Sequence, residues 1–181
     1  NNTSPIHRGV FISRNVLGRL LKPPVEAVAF KDDEFDPALT MREKITQLTK
    51  ATSCMECHRV INPVGFSLEN FDAVGRHRLK DNRKPVDTVT RYVNENEREI
   101  PIRSIHDVAT MAAGSRLAHE AFITHLFHHF TKQSINAYGS DTKASLHAKF
   151  VKSGYNIRSL LVELTKVAVS HTAETKPLAA K

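Results

Sequence analysis

The chain has 181 residues, 40% of them hydrophobic and 25% charged, with a formal net charge of +7. This composition suits a globular fold with one sizeable core or a little more, and no apolar run approaches the roughly 20 residues that cross a bilayer. The basic residues are spread along the chain without an aromatic-interleaved cluster, which argues against nucleic acid and leaves two readings of the charge, steering toward an acidic partner and a generic solvated surface.

Ser4-Pro5 reads as an N-cap followed by proline at the first helical position. Ile6, Val10, Ile12, Val16, Leu17, Leu20 and Leu21 continue at helical spacing, and Pro23-Pro24 should end that helix. Residues 22–38 read as an irregular acidic connector. Thr40-Met41-Arg42-Glu43 fits a capping box and starts a helix over 41–50, with Ile45 and Leu48 inward.

Cys54-Met55-Glu56-Cys57-His58 follows at once, and it holds both cysteines of the chain. The pattern C-x-x-C-H attaches haem c. Two thiols three residues apart on a helical turn can each bond one vinyl-derived carbon of the porphyrin, and the next imidazole then ligates the iron. The alternatives are weaker. Zinc needs four ligands, and a thioredoxin-like pair belongs at the end of a strand. His58 is therefore the expected proximal ligand, on a segment over 52–60. Asn62-Pro63-Val64-Gly65 reads as a turn, and 66–71 as one short helical turn. Val60, Ile61, Val64, Phe66 and Leu68 are expected to wall the haem. Pro63 or a neighbour should offer a carbonyl to the His58 ring N–H, and Arg76 and Arg78 should meet the propionates. The distal position has three candidates: His7, Met41 and Met111. A methionine there suits electron transfer, whereas an open position suits small-ligand chemistry.

Beyond Arg76 the periodicity changes. Val86, Thr88 and Thr90, then Ile100 and Ile102, alternate around Asn94-Glu95-Asn96-Glu97, which predicts a small β-hairpin. Ser104 with Asp107 caps a helix that stops at Gly114. A second helix runs from Ser115 to about 132 and carries His119, His125, His128 and His129. Tyr138-Gly139-Ser140 breaks the pattern, a helix over 141–152 stops at Gly154, and Asn156 caps a last helix to about 170. Its Leu160, Leu161, Leu164, Val167 and Ala168 form an apolar stripe. The fold class is mainly α: a cytochrome c-like helical haem domain with a small β-hairpin and a C-terminal helical module. The expected divisions are a haem-binding region over 1–103, a helical module over 104–171 and a disordered tail over 172–181.

Three strings carry a family resemblance: Thr3 to Val10, the Cys54–His58 motif, and Ile61 to Arg76 (INPVGFSLENFDAVGR). They resemble the C-terminal haem-motif region of large planctomycete-type secreted proteins of unknown function. Ile105 to Tyr138 and Ser153 to Glu163 resemble the terminal helical module of those proteins. The resemblance implies a cytochrome c-like unit at the end of a multidomain extracytoplasmic protein, periplasmic or extracellular, with a link to polysaccharide degradation. The chain starts without a signal peptide, so it is expected to be a processed protein or a piece of a longer one. One covalent haem c and no catalytic constellation beside it point to electron transfer with a redox partner or attached domains. A haem enzyme of peroxidase type or a ligand sensor with an open distal site is the alternative, and a docking module stabilised by haem is the third reading.

Overall fold

The computed structural model describes residues 3–21 and 29–174, with side chains to residue 170. Pro23-Pro24, the first part of the connector and most of the expected tail lie outside the described residues. The fold is mainly α, with seven α-helices and short antiparallel hairpins among the described residues. By packing, the chain divides into two compact units, Asn1–Ser115 and Arg116–Lys181.

The first unit begins with α1 (Pro5–Phe11), which continues through a π-helical turn over Ile12–Val16. The helix expected to reach Leu21 ends here instead. Leu17 N–H bonds the Ile12 carbonyl at 2.9 Å, and Gly18 then turns the chain at φ +70°. Only glycine enters that left-handed region without a Cβ penalty, so Gly18 stops the helix before the prolines. Helix α2 (Met41–Leu48) has the expected capping box: Thr40 Oγ1 accepts from Glu43 N–H, and the Glu43 carboxylate accepts from Thr40 N–H at 2.7 Å.

Helix α3 (Thr52–Phe66) corrects the expected turn at Asn62-Pro63-Val64-Gly65, because it runs straight through Pro63. An interior proline costs about 3 kcal/mol through its missing N–H and its clash with the carbonyl four residues back. Burial outweighs that cost. Every residue from Val60 to Phe66 is buried, and each large apolar side chain among them contributes roughly 1.5–3 kcal/mol. The stretch over 66–71 is a pair of turns, with Glu69 N–H on the Phe66 carbonyl and Phe71 N–H on the Leu68 carbonyl.

A hairpin absent from the sequence reading follows: β1 (Lys80–Asp81) pairs with β2 (Lys84–Pro85). Its two-residue turn holds Asn82 and Arg83 at φ 46° and 66°. Without the usual glycine, it is fixed by Asn82 Nδ2, which donates to the Leu39 carbonyl at 3.1 Å. The expected hairpin is present as β3 (Thr90–Val93) and β4 (Glu99–Ile102), with Tyr92 opposite Ile100. Asn94 Oδ1 organises its turn by accepting from the N–H groups of Asn96 and Arg98. Val86 and Thr88 precede the strand, and Thr88 Oγ1 donates to the Arg103 carbonyl. Helix α4 (Ile105–Gly114) starts at Ser104, whose hydroxyl accepts from His106 N–H. Ile12, Leu17, Val60, Val64, Tyr92, Ile102 and Val108 form the core of this unit. Val108 joins α4 to this core, within the unit that runs to Ser115.

The second unit holds α5 (Arg116–Thr131), a 3-10 turn over Ile135–Tyr138, α6 (Thr142–Lys152) and α7 (Ile157–Glu174). Gly139 and Gly154 break the chain at φ 104° and 65°. Asn156 Oδ1 caps α7 by accepting from Ser159 N–H at 3.0 Å. The expected stripe supplies Leu160 and Leu164 to a core with Ile123, Phe127, Ile135, Leu146 and Phe150.

His147 on α6 stacks on His119, and its Nε2 is buried with no hydrogen-bond partner among the described residues. Burial holds its pKa below the usual 6.5, and the Arg116 and His119 charges push the same way against Glu120. The folded state therefore favours neutral His147. Its contribution is complete above pH 6.5 and is lost as pH falls from there through the lower folded value. Melting of the second unit is expected to drop between pH 7.5 and 5.5, and a His147→Gln variant should show a smaller drop.

Candidate haem-attachment site

The motif occupies the first half of α3. Cys54, His58, Ile61 and Gly65 recur at the four-, seven- and eleven-residue offsets that share one helical face, with Cys57 one turn from Cys54 on its flank. The two halves of this helix differ sharply. From Val60 onward it is buried, whereas residues 51–59 are exposed or half-buried. No side chain caps its start at Ala51. Cys54 and Cys57 are free thiols, both half-buried, and Met55 between them is exposed. Among the described residues no third or fourth His, Cys, Asp or Glu completes a metal cluster, so a zinc site at these cysteines would lack ligands.

His58 is tied into the fold on its far side. Its Nδ1 lies 2.8 Å from Asn62 Oδ1. Asn62 Nδ2 donates to Thr49 Oγ1 at 2.9 Å, and the Thr49 hydroxyl donates to the Ile45 carbonyl at 2.8 Å. Asn62 and Thr49 are both buried. The carbonyl expected near Pro63 is not the partner of the ring. Because the helix continues, the Pro63 carbonyl points along its axis and accepts from Ser67 N–H at 3.1 Å. Sequence reasoning passes over Asn62, because Asn-Pro signals a turn. On a continuous helix its spacing of four from His58 is the available signal.

The remaining candidates are engaged elsewhere. Ile61 faces Gly9 of α1. Phe66 packs with Met41 and Ile45, with the Arg42 guanidinium 4.9 Å above its ring. Leu68 packs on the core of the unit, as does Met111. His7 is exposed, with Nδ1 2.9 Å from Ser4 Oγ. Arg76 pairs with Asp72, and Arg78 with Glu69 and Asp81. The hydrogen-bonded set around His58 includes none of the three distal candidates. A recess of about 380 Å³ elsewhere in the unit is lined by Arg42, Glu43, Lys84 and Asp87. Its charges pair with one another, Lys84 with Glu43 and Arg42 with Asp87.

Residues 1–81 match the PSCyt3 family. That family is described as a protein of unknown function (DUF1588), and it is a planctomycete cytochrome-like domain family. The PSCyt3 match bears out the resemblance read from the sequence over this span, which contains the whole motif, α1, α2 and α3. It stops at Asp81, before the larger hairpin and the helices that follow. No curated protein and no solved structure matches the chain. No described helix is long and apolar enough to cross a membrane.

Proposed function

We propose that the chain is a mono-haem c cytochrome domain that carries electrons. The observation that supports this most directly is the state of His58. Its Nδ1 is occupied by Asn62, so Nε2 is the nitrogen left for iron, on the helical face that also bears Cys54. Haem, when bound, supplies a one-electron iron couple. Each thiol of Cys54 and Cys57 would hold it by adding S–H across a vinyl double bond, with no leaving group. The exposed first half of α3 leaves these groups reachable from solvent, which suits exchange of electrons at a protein surface. The net charge of +7 favours an acidic docking partner or attached domain. Haem c attachment, a step that takes place outside the cytoplasm, supports an extracytoplasmic location, and the family resemblance supports a larger, polysaccharide-associated protein.

The test is expression in a host that matures c-type cytochromes. The wild type should carry haem that survives denaturation. Cys54→Ala with Cys57→Ala should abolish covalent haem, and His58→Ala should lose the low-spin spectrum. A reversible redox couple with a low-spin ferric spectrum supports electron transfer. A high-spin ferric spectrum that shifts on adding cyanide or peroxide would overturn it. Single replacement of His7, Met41 and Met111 identifies the distal ligand by the spectral change.

A further inference from the structure

We infer that Asn62 and Thr49 form a directional relay that fixes the tautomer of His58 and tunes the potential of the haem it holds. The inference about potential rests on the haem reading; the inference about tautomer does not.

The direction starts at a group with no choice. The Ile45 carbonyl can only accept, so the Thr49 hydroxyl 2.8 Å away spends its single hydrogen there. Thr49 Oγ1 then has only lone pairs to offer, and the amide group facing it at 2.9 Å must be the Nδ2 donor of Asn62. This turns Asn62 Oδ1, an acceptor only, toward His58 at 2.8 Å. Nδ1 of His58 must therefore carry the proton, and Nε2 keeps its lone pair. Thr49 and Asn62 are only 3% and 6% exposed, so water competes poorly for either amide orientation. Thr49 is the C-cap of α2. The end of one helix thus dictates the protonation of a ring on the next, thirteen residues from Thr49 to Asn62 and four back to His58.

A free histidine side chain in water prefers the opposite tautomer, so the relay leaves a signature even without haem. An acceptor on Nδ1–H also makes the ring a stronger donor through Nε2, which favours the ferric state. Asn62 and Thr49 are positioning residues, and their effect should depend on acceptor strength, not merely on filling space.

Two measurements test this. In the haem-free chain at pH 8, ¹⁵N NMR of the His58 ring should show the Nδ1–H tautomer in the wild type. Asn62→Leu should move it to a mixture or to Nε2–H, Thr49→Val should move it part of the way, and Thr49→Ser should restore the wild-type state. A wild-type ring already in the Nε2–H form, or one unmoved by Asn62→Leu in a chain with unchanged circular dichroism, would overturn the relay. In the haem-loaded protein, Asn62→Leu should raise the midpoint potential and Asn62→Asp, a stronger acceptor, should lower it. Shifts of the same sign, or none, would overturn the tuning role. A wild type that takes up no covalent haem defeats the proposed function instead, and the tautomer measurement still decides the relay.

Discussion

Glu69→Gln is expected to destabilise the first unit by about 3 kcal/mol, close to the cost of breaking a buried ion pair from one side. Glu69 is 2% exposed and sits between two arginines. One carboxylate oxygen accepts from Arg8, the other from Arg78 at 2.7 Å, and the Thr3 hydroxyl bridges both. Arg8 also donates to the Gly65 carbonyl at 2.8 and 3.1 Å, and Arg78 to the Glu69 carbonyl at 2.8 Å. A neutral amide keeps the shape but leaves two guanidinium groups without that charge. Arg78 retains Asp81 at 2.7 Å; Arg8 retains only dipoles. Arg76→Ala is the control, since its pair with Asp72 is 72% exposed on the arginine side, and solvent screens such a pair so that it contributes little. Urea unfolding of both variants measures the contrast. A Glu69→Gln midpoint as close to wild type as that of Arg76→Ala would show that the network is not carrying the fold.

The same network explains part of what the sequence conceals. Arg76 and Arg78 look alike beside a haem motif, and both suggest propionate partners. What separates them is Glu69, a residue whose burial no local pattern announces. The signals that could be read were those whose cause is local. Thr40 with Glu43, Ser104 and Asn156 are caps within one turn of the groups they satisfy, and Gly114, Gly139 and Gly154 end or break helices. The readings that failed depended on distant contacts. Pro63 looks like a breaker until the six buried residues around it are counted. Asn82 and Arg83 lack a glycine, and their turn is fixed by a carbonyl more than forty residues away. At the site, Cys54, Cys57 and His58 are legible because C-x-x-C-H is a short motif of fixed spacing. Asn62 was hidden by the misread turn, and Thr49 by its place on another helix.

The second large effect concerns Gly9 and Gly65, where α1 crosses α3. Each is helical, so propensity alone predicts that alanine would stabilise by up to about 1 kcal/mol. Contact geometry predicts the reverse. A Cβ on Gly9 would lie 2.2 Å from the Ile61 carbonyl oxygen, and one on Gly65 would lie 2.2 Å from the Pro5 carbonyl oxygen. Both obstacles are backbone, so no side-chain rotation relieves them, and the helices must separate. Gly9→Ala and Gly65→Ala should each destabilise the unit by about 3 kcal/mol, the upper part of the range for overpacking. Gly114→Ala supplies the internal control. Nothing lies within 4 Å of its added Cβ and its φ is not positive, so it should be neutral or slightly stabilising in the same assay. Destabilisation confined to the first two separates crowding from helix propensity. The crossing also positions Arg8, which reaches the Gly65 carbonyl and Glu69 from α1. Forcing the helices apart should already weaken that pair, so Gly65→Ala combined with Glu69→Gln should cost less than the sum of the two. Full additivity would mean that the glycine crossing and the buried carboxylate hold α1 independently.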